Sequence, residues 1–169
     1  PGQVTYASGA LATHLAVRML AVEVAFDVVQ VPYRGTAPAV LDVAAGRVDF
    51  TIADIAAMEP HVRAANLRMI ATTGRARAKA VPDLPTVAEA GVAGFATDSW
   101  NALTVPRDTP VDVVRRLRQA LAQALASTEL REGLDRLCFE LIDEPADALP
   151  ESLRAEIESY RTLIRRTGM

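Results

Sequence analysis

Cysteine is almost absent from this chain. Cys138 stands alone among 169 residues, so neither an intrachain disulfide nor a thiolate metal motif can be assembled. Histidine is nearly as scarce, and neither His14 nor His61 has a partner at a metal-ligand spacing. No apolar run approaches the ~18 residues that a membrane-crossing helix needs. The sequence opens at Pro1, close to a strand pattern, without a charged, then apolar, then small-residue leader. That opening is expected of a piece of a longer protein. Positive charge is not in excess either. Eighteen Lys and Arg face 21 Asp and Glu, for a net charge of −3, which argues against a nucleic-acid or anionic-membrane partner. Lys79 is the single lysine, and the arginines are scattered apart from Arg115-Arg116 and Arg165-Arg166, as on a solvated face. The Gly-x-Ser-x-Gly elbow, the Walker loop and the dinucleotide fingerprint are all missing. No catalytic group, cofactor or metal is therefore expected, and a binder is favoured over an enzyme.

What is present is half apolar, enough for a packed core in one ordinary domain or two small lobes. Gln3 to Tyr6 reads as a first strand, followed by a small-residue loop to Ala12 and a helix carrying Leu11, Leu15 and Met19 on one stripe. Phe26 to Val31 is a second strand. A helix through Val40, Leu41 and Val43 follows, with Gly46 as its C′ residue. Val48 to Ile52 is a third strand, Met58 to Ala65 a helix, and Leu67 to Ala71 a fourth strand. Strand and helix alternating over short connections imply a parallel sheet covered by helices, an α/β fold. Beyond Gly74 the pattern changes. Thr86 and Glu89 have the spacing of a capping box for a short helix ending at Gly91. Phe95 to Val105 reads as extended around Trp100. Thr109 and Pro110 read as cap and first residue of a long helix with Val114, Leu117, Leu121 and Leu125 on its stripe. Leu130, Leu134 and Leu137 mark a further helix, Phe139 to Ile142 a short strand, and Leu153, Ile157, Tyr160 and Ile164 a terminal helix.

In open parallel sheets, ligands bind beyond the carboxyl ends of the strands. Three turns fall there. The stretch Val31 to Ala39 is a strand-to-helix turn in which Gly35 relaxes the backbone, Thr36 suits an N-cap and Pro38 fits a first helical turn. Its free N–H groups favour an anion, which makes Tyr33, Gly35, Thr36 and Ala37 candidates. Ser8, Gly9 and Thr13 form a second candidate helix start, with an ordinary cap as the simpler alternative. Asp54, just past the third strand, either accepts a hydrogen bond from a ligand or caps the next helix. For His14 and His61 a solvated or capping role is the simpler reading.

Four segments resemble the substrate-binding receptors of tripartite tricarboxylate transporters, the Bug family. They are Tyr6-Ala7-Ser8 running to His14-Leu15-Ala16, Val31 to Ala39 with Gly46-Arg47-Val48-Asp49, Val81-Pro82-Asp83-Leu84-Pro85-Thr86-Val87-Ala88-Glu89-Ala90-Gly91, and Ser99-Trp100 to Thr109-Pro110. The resemblance implies a periplasmic-binding-protein type II-like fold with the first lobe largely missing from this chain. It implies a ligand-binding second lobe over residues 1–97, and a crossover with helices returning toward the first lobe over 98–169. It implies capture of a small carboxylate in the periplasm for a membrane permease, with no catalysis. Ligand contacts would come from the loop before His14 and from Gly35-Thr36-Ala37, with Asp54 at the third strand end. The alternative is a lone lobe acting as a sensor or dimerising interaction module.

Overall fold

In the computed structural model, residues 4–141 and 149–167 are described. They group into two compact units: residues 4–98 with 149–167, and residues 99–141.

The larger unit begins with β1 (Val4–Ser8), α1 (Leu11–Glu23), β2 (Val28–Pro32), α2 (Thr36–Ala44), β3 (Phe50–Thr51) and α3 (Ile55–Arg63). The strands are parallel in the order β2-β1-β3, with Tyr6 opposite both Gln30 and Phe50. β1 therefore takes the centre. It runs two residues past the expected end, because Ala7 and Ser8 still pair with Val31 and Pro32, and the Thr51 hydroxyl donates to the Ala7 carbonyl. Ala7, Ala39 and Val48 form a buried cluster, flanked by Val31, Tyr33 and Val43. Two alanines at the contact let α2 lie close on the sheet. On α1, Ala16, Val17 and Ala21 are buried, a spacing of about one turn that fits one packed face.

The expected fourth strand does not form. Leu67 to Ala71 is unpaired, and Ile70 is 75% exposed. Only the next residue, Thr72, makes a single bridge, to Thr86. A strand exists only where a neighbour offers a ladder, and β3 pairs over two residues alone. Thr86 and Glu89 do make the reciprocal capping box, Glu89 N–H to the Thr86 hydroxyl and Thr86 N–H to the Glu89 carboxylate. The residues after this box form a turn rather than the expected helix. Phe95 to Val105, expected to be extended, joins no ladder; Thr97 N–H bonds the Thr73 carbonyl.

The ends of α2 and α3 follow one pattern. After α2, Gly46 (φ +67°) donates to Val43 and Arg47 to Asp42, the paired bonds of a Schellman ending. After α3, Ala65 donates to Val62 and Asn66 to His61 in the same way, but Ala65 holds φ +56° with a Cβ. A left-handed conformation costs a non-glycine residue about 1–2 kcal/mol. Glycine gives back roughly 0.5–1 kcal/mol of that through the freer unfolded chain. Ala65→Gly is therefore expected to stabilise the protein by about 0.5–1 kcal/mol, read as a higher urea midpoint at unchanged slope. A lower midpoint contradicts this.

Late in the sequence, α6 (Leu149–Thr167) returns to lie against α1. Its packed face differs from the expected stripe. Leu163 is buried at 6% exposure, while Ile157 and Ile164 are exposed. Leu153, Tyr160 and Leu163 share the inward side, a seam that a stripe through Ile157 and Ile164 misplaces.

The second unit contains α4 (Val111–Ala126) and α5 (Thr128–Arg136). α4 starts one residue later than expected, because the Thr109 hydroxyl donates to the Pro106 carbonyl instead of capping. Ser127 separates the helices, accepting from Leu130 N–H and donating to the Ala124 carbonyl. Phe139 to Leu141 is not a strand; Phe139 N–H instead closes α5 on Leu134. Ile142, the last residue of that expected strand, lies outside the described residues. No residue of 99–141 is buried, and Leu103, Val111, Leu117, Leu121 and Leu137 are exposed.

Candidate functional site

Three helices, α1, α2 and α3, start at the same edge of the sheet, just beyond the carboxyl ends of β1, β2 and β3. Their N-cap positions are Ala10, Gly35 and Asp54, and none provides a side-chain cap hydrogen bond. First-turn N–H groups are left for other acceptors, with the positive ends of three helices alongside.

The first two of these turns touch. Gly9 packs against Gly35 so closely that a Cβ on Gly9 would overlap the Gly35 carbonyl and lie 2.6 Å from Thr36 N. Gly35 itself holds φ +111°, with open space where its own Cβ would be. Tyr33 N–H donates to the Ser8 carbonyl at 2.9 Å, tying the ends of β2 and β1 together. An open depression of about 370 Å³ lies at this edge, lined by Ser8, Gly9, Leu11, His14, Gln30 and Tyr33, with Ala10 and Pro32.

Most polar groups around it already have protein partners. The Ser8 hydroxyl accepts from Gln30 Nε2 at 2.7 Å. The Tyr33 hydroxyl donates to Asp42 Oδ2 at 2.8 Å, and Arg47 reaches Asp42 Oδ1 at 2.7 Å. The hydrogen bond from Tyr33, then that from Arg47, holds the Asp42 carboxyl below its ordinary range, and the same bond raises Tyr33. Tyr33 is thus a neutral phenol anchored to α2. On the other side, Tyr6 hydroxyl and His14 Nδ1 are 2.7 Å apart. Burial, and secondarily Arg18, pushes His14 below its ordinary 6.5. Burial raises the Tyr6 phenol, with Arg18 opposing.

Ser8, Gly9 and Tyr33 therefore meet in one depression, with Gly35 and Thr36 against Gly9. Thr13 and Ala37 lie on the first turns of α1 and α2, and Asp54 at the start of α3; none of the three lines the depression. Two lining residues with polar side chains, Gln30 and His14, were not among the sequence candidates. For Gln30 a signal existed, since a lone polar residue in the run Val28 to Val31 calls for a buried partner. His14 is neither a cap nor purely solvated: its ring is bonded to Tyr6 and half-buried. Nothing in the spacing of Tyr6 and His14 announced that contact. Among the described residues no group of three or more His, Cys, Asp or Glu is placed to hold a metal ion.

His14 gives the protein a pH response near neutrality. The unfolded chain takes up a proton around 6.5, whereas the folded ring, with its value lowered, stays neutral to a lower pH. The unfolded state binds more protons in that window, so His14's contribution is full above 6.5 and is lost as pH falls through the folded value. Asp42, Asp49 and Glu89 are lowered too, but act only near the carboxylate range. Between ~pH 7.5 and ~pH 5.5 the wild-type urea midpoint should fall, and that of His14→Gln should stay flatter. Equal slopes contradict the assignment.

Parallel strands covered by helices, with helix starts gathered at one edge, define an α/β binding module of the periplasmic-binding-protein type. The profile of the tripartite tricarboxylate transporter family receptor matches residues 1–169, and the chain belongs to that family. It is 34% identical over 167 residues, 97% of its length and 50% of the relative's, to the UPF0065 protein in the tcbD-tcbE intergenic region of a Pseudomonas species. Among solved structures it is similar to Rpa4515 of Rhodopseudomonas palustris with adipate, at 31% identity and TM-score 0.88, covering 99% of this chain and 57% of that one. MatC of Rhodopseudomonas palustris with bound malate is similar at 27% identity and TM-score 0.81, covering 95% and 56%. The chain spans about half the length of the curated relatives it matches. No helix among the described residues is long and apolar enough to cross a membrane.

Proposed function

We propose that residues 1–97 are the ligand-binding lobe of a periplasmic receptor that captures a small carboxylate and delivers it to the permease of a tripartite tricarboxylate-type transporter, without chemical turnover. One observation carries this reading: the turns after β1 and β2 meet at Gly9 and Gly35 around a depression edged by helix starts without side-chain caps. Backbone N–H groups at helix starts, with neutral hydroxyls beside them, suit an anion of low charge. Family membership and the adipate and malate bound by the two Rhodopseudomonas proteins support a carboxylate. With α6 packed on α1, the stretch of residues 98–169 that precedes it would return toward a first lobe, and closure of two lobes on the ligand would complete the site. Calorimetric titration of the protein with adipate, malate and a panel of other small mono-, di- and tricarboxylates should give saturable one-site binding to at least one. Absence of binding across the panel sinks the proposal.

A second reading is kept by the exposed apolar side chains of α4 and α5. If the lobe acts as an interaction module, Val111, Leu117 and Leu121 would lie in a dimer interface. Sedimentation should then show a dimer that Leu117→Glu dissociates, and a concentration-independent monomer rules it out.

A further inference from the structure

His14 and Tyr6 form a pair that the turns alone do not require. Tyr6 is 1% exposed at the centre of the sheet, with the Phe50 ring 6.0 Å away on one side and the His14 ring 6.1 Å away on another. His14 sits one turn into α1, its N–H bonded to the Ala10 carbonyl, and its ring reaches the depression. Both groups are neutral near pH 7, since burial opposes ionisation of each. Two neutral groups share one hydrogen bond in one of two ways. If Nδ1 carried the proton, the phenol O–H would need another acceptor, and none lies within reach of it among the described residues. A buried donor without an acceptor is strongly disfavoured. The phenol therefore donates to Nδ1, and the imidazole proton sits on Nε2.

We propose that His14 is a specificity-determining residue of the carboxylate site and Tyr6 its positioning residue: the buried phenol holds the imidazole in the tautomer that offers Nε2–H to a carboxylate oxygen in the depression. This rests on reading the depression as a carboxylate site. The Tyr33 hydroxyl is already committed to Asp42, and one Gln30 amide hydrogen to Ser8. Nε2–H has no protein acceptor among the described residues and, with the Ser8 hydroxyl proton and the second Gln30 amide hydrogen, is a side-chain donor open to a ligand. A neutral donor beside backbone N–H groups, with Arg18 one turn behind on α1, matches a singly charged carboxylate head better than a doubly charged phosphate.

The experiment is nitrogen NMR of the protein carrying labelled histidine, with adipate as the probe, alongside titration of Tyr6→Phe, His14→Gln and His14→Phe. In the free wild type, Nδ1 should read as a bare nitrogen and Nε2 as protonated, and adipate should shift Nε2. His14→Phe should weaken adipate binding roughly tenfold or more, Tyr6→Phe by less with mixed tautomers, and His14→Gln should retain most affinity through its amide N–H. A protonated Nδ1 in the wild type, or unchanged affinity in His14→Phe, overturns the inference alone. Failure of the wild type to bind any carboxylate of the panel overturns the carboxylate reading and this inference with it. Should His14→Phe not fold, the response of wild-type Nε2 to adipate decides: a shift supports the assignment and none refutes it.

Discussion

Gly9→Ala should destabilise the protein by about 3 kcal/mol, the upper end of what overpacking costs, and should abolish carboxylate binding. The reason is geometric. The added Cβ would overlap the Gly35 carbonyl and crowd Thr36 N, and these are backbone atoms that cannot rotate away as a side chain would. Relief requires the turns after β1 and β2 to move apart. That separation breaks the bond from Tyr33 N–H to the Ser8 carbonyl and opens the floor of the depression. Gly35→Ala makes the informative contrast. Its Cβ would meet nothing within 4 Å, yet its φ of +111° is hostile to any side chain. Strain alone, about 1–3 kcal/mol, should lower its urea midpoint while leaving the two turns in contact, so part of the binding should survive. If Gly9→Ala keeps the wild-type midpoint, the close approach of the two turns is wrong.

Ala39→Leu should be comparably damaging, at about 2–3 kcal/mol, for a reason on the other side of the same turn. Ala39 is 1% exposed and packs on Ala7, itself fully buried, with Val48 beside them. Three extra carbons have no void to enter, so α2 must lift from the sheet. Thr36 and Gly35 open that helix, and lifting it carries them away from Gly9. Stability and carboxylate affinity should therefore fall together. Leu41→Ala, on the solvent side of α2 at 55% exposure, should change stability by less than ~0.5 kcal/mol and leave affinity intact. If Ala39→Leu lowers stability while binding is untouched, the helix is not what positions the turn.

Much of this was legible in the residues, and the reasons for the exceptions are physical. The second strand, expected over Phe26 to Val31 and found over Val28–Pro32, the helix closed by Gly46 and the placement of Ser8 and Tyr33 at strand ends come from local chemistry: apolar runs, a left-handed glycine, short connections. Leu67 to Ala71 has the composition of a strand and no ladder to join, because strand formation is decided by a neighbour far away in sequence. The Thr86–Glu89 box is chemically complete and still caps only a turn. Thr36 has the right side chain for a cap, yet the chain gives that position to Gly35 and makes Thr36 the first helical residue. The contact of Gly9 with Gly35 and the bond from Tyr6 to His14 both join neighbouring elements in three dimensions. Spacing along one helix or one strand carries no trace of either.

The seam between α1 and α6 bears on the order of events during synthesis. Leu163 is buried in a unit whose first helix lies some hundred and more residues earlier. A ribosome adds residues at about 5–20 per second, so α1 emerges many seconds before the helix that shields it. Until then its flank toward Met19 and Glu23, which α6 later faces through Ala155 and Ser159, has no lid. Contacts of such sequence separation also slow the final closure of the chain. The seam between α1 and α6 therefore cannot close until α6 has been synthesised. That interval leaves the flank of α1 open to a holdase chaperone until α6 arrives.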